Sequence, residues 1–179
     1  MRKKHVRNLT AGCAAFMAAA FVFSAGFSKT AFANESDKTT LVYGSTDYTR
    51  INPAMDEHCE INVLLFDGLT DHDGDNQIIP RLAKSWEYDE ENLTYTFHLE
   101  EGVKWHDGEP FTAEDVKFTF EAIMDPANES ENAPDYEDIE SIEVIDENTV
   151  AFHLSNVNTA FLEYMTRPVM PKHLLEGED

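Results

Sequence analysis

Residues 94–124 read TYTFHLEEGVKWHDGEPFTAEDVKFTFEAIM. Tyr95, Phe97 and Leu99 alternate with Thr94, Thr96 and His98, the two-residue period of a strand with one buried face. Glu100-Glu101-Gly102 turns the chain, and Val103-Lys104-Trp105 is expected to return it as a short second strand. Pairing should stop at His106-Asp107-Gly108-Glu109-Pro110, where glycine permits positive φ and proline has no N–H. A helix then starts at Thr112, with Asp115 three residues on to complete a capping box. Phe111 and Val116 are spaced as a hydrophobic staple across that start. Val116, Phe120 and Ile123 share one helical face, and Phe118 and Ala122 lie nearly opposite, so apolar partners are expected on two sides. Read alone, the stretch is a hairpin feeding a packed helix.

The flanking sequence extends this pattern. Residues 40–44 form a short apolar strand, and residues 47–58, with Pro53 among them, a loop leading into a helix. Ile61, Leu64, Leu65 and Leu69 place that helix over residues 60–69, with Gly68 near its end. Residues 71–76 make a tight acidic turn between two strands. Its alternating aspartates suggest a calcium loop, but the sixth position is Asn76 rather than glycine, and the twelfth, Leu82, cannot bind a cation. Residues 78–82 and 85–88 read as short elements joined by a helical turn, with residues 89–92 connecting to the central strand. Residues 125–135 are polar and contain Pro126 and Pro134, the signature of an exposed loop. Ile139, Ile142 and Val144, then Val150, Phe152 and Leu154, give a second hairpin around Asp146-Glu147-Asn148. Phe161, Leu162 and Met165 mark a short helix, and residues 169–175 an apolar return. Hairpins mixed with helices indicate the α+β class.

Residues 1–33 read as an export signal, removed before Asn34. The basic start Met1-Arg2-Lys3-Lys4-His5-Val6-Arg7 precedes a long apolar run, and Ala31-Phe32-Ala33 is an A-x-A cleavage site. The rival reading is a membrane anchor, since the run approaches the ~20 residues that span a bilayer. A lipid on Cys13 is disfavoured, because most of the apolar core follows that cysteine instead of preceding it. Five of the 13 basic residues lie in this leader and all 35 acidic ones beyond it, so the remainder carries −27. That charge argues against nucleic acid and anionic lipid as partners and suits solubility outside the cell. Only Cys59 remains after cleavage, so stability rests on the apolar core and not on an intrachain disulfide.

Five stretches, in order, resemble the signature of the family 5 extracellular solute-binding proteins, the peptide-, dipeptide- and nickel-chelate-binding receptors of ABC importers. They are Asn52-Pro53, Phe66-Asp67-Gly68-Leu69, Pro80-Arg81-Leu82-Ala83-Lys84-Ser85-Trp86, the turn and helix start over residues 102–116, and Pro171-Lys172-His173-Leu174-Leu175. The resemblance implies the N-terminal lobe portion of a type II-like (class C) periplasmic-binding-protein fold, α+β and incomplete. On that plan residues 41–45 are the first strand, about 52–154 an inserted subdomain, and 169–175 the return to the first subdomain. Family chains continue into the rest of the first lobe and a whole opposing lobe, so residues 34–179 are expected to be a partial N-terminal lobe. The implied role is capture of a peptide or nickel chelate for an ABC permease, by a monomer that is exported and periplasmic or cell-surface associated. Nickel would then be cargo, and no cofactor is expected.

The same resemblance points the loop after Asn52-Pro53 at the ligand cleft, which nominates Asp56, Glu57 and His58. His58 beside Cys59 suits a nickel-like ion; the plainer alternative is an exposed loop histidine next to a buried thiol. Arg167 before Pro168 matches the place where chelate-binding relatives set an arginine against a ligand carboxylate, a geometry that suits a guanidinium. Equally, a surface arginine in so acidic a chain would find some carboxylate in any case. Catalysis finds no support: H-E-x-x-H, G-x-S-x-G, P-loop and dinucleotide patterns are absent from the sequence. His98 and His153 fall on the outward phase of their strands, and His106-Asp107 sits in a turn that side chains commonly brace. A secreted metal-dependent hydrolase and a stand-alone extracellular interaction module remain the alternatives.

Overall fold

The computed structural model describes residues 52–54 and 61–177. The chain divides into two units, Met1–Tyr43 and Gly44–Asp179, and every described residue belongs to the second. The elements are helix α1 (Asn62–Leu65), strands β1 (Thr70–His72), β2 (Ile78–Pro80), β3 (Ala83–Asp89) and β4 (Thr94–Leu99), helix α2 (Ala113–Met124), strands β5 (Ile139–Asp146) and β6 (Thr149–Leu154), and helices α3 (Phe161–Tyr164) and α4 (Lys172–Leu175). Two 3-10 turns, Pro126–Asn128 and Ala133–Tyr136, follow α2. β1 and β2 form a small antiparallel hairpin around the acidic turn, as expected. The other four strands make one antiparallel sheet in the order β3-β4-β6-β5. None of the helices among the described residues is long and apolar enough to cross a membrane.

The alternation of β4 decides which sheet face is buried. Tyr95, Phe97 and Leu99 are buried while Thr94, Thr96 and His98 are only partly covered. Cross-strand register puts Tyr95 opposite Phe152 and Phe97 opposite Val150, so one apolar face forms across the two central strands. Helix α2 lies on it with Val116, Phe120 and Ile123 fully buried. Phe118 and Ala122 are partly buried against the same core, consistent with apolar contact on two sides. Phe152 is the hub: its ring lies 5.6 Å from Phe97, 5.2 Å from Phe120 and 5.6 Å from Phe161, each steeply tilted, the edge-to-face geometry that aromatic quadrupoles favour.

The ends of α2 follow from chemistry. Thr112 is extended and Asp115 accepts its N–H at 2.9 Å in a capping box. The helix stops where Asp125 turns extended, because a residue before proline avoids the α region. Asp115, 4% exposed, also accepts the Lys172 N–H at 2.9 Å, and Thr119 Oγ1 accepts the Met170 N–H at 2.8 Å. Two polar side chains of α2 thereby stitch the return segment to the core.

Four expectations need correction. Residues 103–105 do not pair back onto β4, whose two edges are already taken by β3 and β6. They close on the following residues instead: Lys104 bridges Pro110, and Trp105 N–H donates to the Glu109 carbonyl at 2.8 Å. No helical turn separates β2 from β3; the chain bends at Arg81-Leu82, and the Leu69 carbonyl accepts both the Arg81 and Ala83 N–H groups. The helix expected over residues 60–69 is the single turn α1, since Leu69 N–H instead donates to the Met165 carbonyl. Gly68 belongs to that contact and not to a helix end: an added Cβ would stand 2.5 Å from the Thr166 carbonyl oxygen. Finally, residues 125–135 are not wholly exposed, for Ser130 and Asn132 are buried. The first strand expected at residues 41–45 and the leader at 1–33 lie outside the described residues.

Candidate functional site

Arg167 follows α3, where its N–H donates to the Tyr164 carbonyl at 3.3 Å, and Pro168 after it disfavours any continuation of the helix. Its half-buried guanidinium donates from Nη2 to Asn132 Oδ1 at 2.7 Å. Asn132 is fully buried, and its Nδ2 donates to the Ala54 carbonyl at 3.3 Å. Ser130 Oγ donates to the same carbonyl. Three distant segments therefore meet: the Asn52–Ala54 turn, the loop after α2, and the residue before Pro168. Tyr136 lies beside them, its hydroxyl donating to the Tyr164 carbonyl at 2.8 Å. Burial pushes the Tyr136 phenol up to about 12, with the nearby Arg167 charge opposing the rise, so the hydroxyl stays protonated.

Among the described residues no carboxylate lies within ion-pair distance of Arg167. Arg81, by contrast, pairs with Asp67 at 2.8 Å. The plain expectation that an arginine here would find a carboxylate is thus not met among these residues. A positive group held by a neutral amide keeps its charge available to an anion. Asp56, Glu57, His58 and Cys59 lie outside the described residues, but the Asn52-Pro53-Ala54 turn before them reaches Arg167 through Asn132. Ser130 and Asn132 were missed by sequence reasoning. Their one signal was two small polar residues beside a Pro-containing turn, which does not distinguish buried from exposed. Elsewhere, on α1, the side-chain carbonyl of Asn62, 4% exposed, has no hydrogen-bond partner among the described residues.

Among the described residues the histidines do not converge. His153 contacts Thr94 Oγ1 at 3.0 Å and Glu143 at 3.4 Å on the outward sheet face. No group of three metal-capable side chains occurs among the described residues. In the signature turn, Asp107 Oδ1 accepts the Glu109 N–H at 3.1 Å, and Oδ2 meets His173 Nε2 at 2.7 Å. The hydrogen bond to Asp107 raises the His173 pKa above its ordinary 6.5, and the same bond lowers that of Asp107 below 3.8. A raised histidine pKa stabilises fully below the unfolded value and is lost as the pH climbs through the folded one; a lowered carboxylate pKa does so above its unfolded value and is lost as the pH falls. The contact therefore contributes most between those two ordinary values. NMR titration should show the His173 pKa falling towards 6.5 in Asp107→Asn; an unchanged titration would show that the pair does not form in solution.

Residues 77–174 match the family model described as bacterial extracellular solute-binding proteins, family 5 Middle. A Brucella ovis protein provisionally named an ABC transporter peptide-binding protein is 42% identical over 99 residues, 55% of this chain and 19% of that relative. The chain thus spans about a fifth of the length of that curated relative. Among solved structures, NikZ of Campylobacter jejuni in complex with Ni(L-His) is 41% identical, with a TM-score of 0.72 over 74% of this chain and 27% of NikZ. The oligopeptide-binding protein AppA of Bacillus subtilis, in complex with a nonapeptide, is 28% identical, with a TM-score of 0.67 over 72% of this chain and 26% of AppA. The α+β arrangement is part of the periplasmic-binding-protein fold that these receptors share. With more than half its residues matched, the chain belongs to the family 5 bacterial extracellular solute-binding proteins.

Proposed function

We propose that this chain supplies one wall of the ligand cleft of an exported solute receptor, which delivers a peptide or a nickel chelate to an ABC permease. The observation that carries the reading is Arg167, a guanidinium tied to a neutral buried amide and unmatched by a carboxylate among the described residues. A ligand carboxylate is the partner such a group suits, since a planar fork matches two oxygens. Asp56, Glu57 and His58 are the further ligand contacts in this reading, with His58 the candidate nickel contact. The receptor is a non-catalytic monomer, made as a precursor with residues 1–33 as its export signal. Residues 34–179 form part of its N-terminal lobe, with about 52–154 as the inserted subdomain. Capture requires two lobes to close on the ligand.

The test is calorimetry with dipeptides, a nonapeptide and nickel–histidine mixtures, on the chain alone and joined to the remainder of a nickel–histidine receptor, the rest of its first lobe together with its opposing lobe. The joined protein should bind one of these ligands with a Kd of about 1 μM or tighter, and the chain alone should show no comparable binding. Arg167→Gln should weaken binding by about tenfold or more. Absence of binding in the joined protein, or peptide turnover by the purified chain, would overturn the reading in favour of a module or a hydrolase.

A further inference from the structure

We propose that Asn132 is a positioning residue, which aims the Arg167 guanidinium by joining it to the Asn52–Ala54 turn. The inference rests on reading Arg167 as the group that meets the ligand carboxylate. Asn132 has no exposed surface, so both ends of its amide need partners within the protein. Its Oδ1 accepts from Arg167 Nη2 at 2.7 Å and its Nδ2 donates to the Ala54 carbonyl at 3.3 Å. A guanidinium only donates and a backbone carbonyl only accepts. Joining the two therefore needs a short side chain with an acceptor at one tip and a donor at the other. The isosteric aspartate would set a second oxygen against the Ala54 carbonyl, and leucine would remove the Arg167 acceptor and leave the Ala54 carbonyl to Ser130 alone.

The surroundings fix this amide from every side. Ser130 Oγ donates to the Ala54 carbonyl and accepts the Asn132 N–H at 3.3 Å, so the same turn is held twice. Ala54 N–H donates to Asn52 Oδ1 at 3.0 Å, closing the turn on its other side. Asn132 opens the 3-10 turn Ala133–Tyr136, and Tyr136, 1% exposed, anchors it through the Tyr164 carbonyl. Rotating the amide would break one bond or both. Because Asn132 is neutral, it orients Arg167 without cancelling the charge. A carboxylate at that position would hold the guanidinium more tightly and compete with the ligand for it.

The test uses the full chain and needs no ligand. Two rates are read by mass spectrometry: modification of Arg167 by phenylglyoxal, with Arg81 as internal reference, and amide exchange of a peptide containing Asn52–Ala54. Asn132→Asp should move them in opposite directions: slower Arg167 modification, because a carboxylate now pairs with it, and about fivefold faster exchange in the turn. Ser130→Ala should accelerate exchange in the turn and leave Arg167 modification unchanged. If Asn132 merely fills a buried corner, Asn132→Asp will shift both rates the same way or neither, and the proposal fails. A joined protein that binds no ligand would defeat the receptor reading but leave these two rates, and the coupling they report, intact.

Discussion

Phe152→Ala is expected to destabilise the protein by about 3–5 kcal/mol, the range for emptying a fully buried aromatic site. Phe152 is fully buried on β6, and its ring meets Phe97 of β4, Phe120 of α2 and Phe161 of α3. These neighbours come from three elements whose backbones are set by hydrogen bonds of their own, so they cannot collapse together to refill the space. Urea unfolding should show the midpoint falling with the slope unchanged. A loss below about 1 kcal/mol would mean that these elements do not share one core.

Asp115→Ala is expected to cost about 3 kcal/mol or more, because its carboxylate serves two backbone N–H groups at once. Thr112 at the start of α2 and Lys172 at the start of α4 each donate to it at 2.9 Å. With Asp115 4% exposed, water cannot readily replace the lost acceptor, so both N–H groups are left unsatisfied. Amide exchange should accelerate at Lys172 and in the first turn of α2, and much less in β4. Asp115→Asn retains a single acceptor oxygen and should fall between the two. Equal acceleration across β4 would show a global effect in place of the local one.

The parts of the fold legible in the sequence are those fixed by near neighbours. Tyr95, Phe97 and Leu99 announce β4 by their period, Thr112 and Asp115 announce α2 by their spacing, and the β5–β6 hairpin turns where Asp146-Glu147-Asn148 implies. Errors arose where a distant segment decides. Residues 103–105 have strand composition but no free edge to join, because β3 and β6 occupy both sides of β4. The start of β3 reads as a helical turn because an edge strand alternates poorly; its Lys84 and Ser85 are both exposed. Asn132 is hydrogen-bonded to Ala54, 78 residues away, and His173 pairs with Asp107 across 66 residues. No local pattern encodes such pairings. For Arg167 the resemblance supplied the position, and its neutral partner became visible only in three dimensions.

On the proposed reading, Arg167 faces a ligand and is held ready by Asn132. A crystal structure of the joined receptor loaded with nickel–histidine, or with whichever peptide binds it, tests this most directly. The ligand carboxylate should lie about 3 Å from the Arg167 guanidinium, with Asn132 still bonded to Nη2. A ligand carboxylate held elsewhere, with Arg167 contacting only protein, would show that this guanidinium is not the ligand anchor.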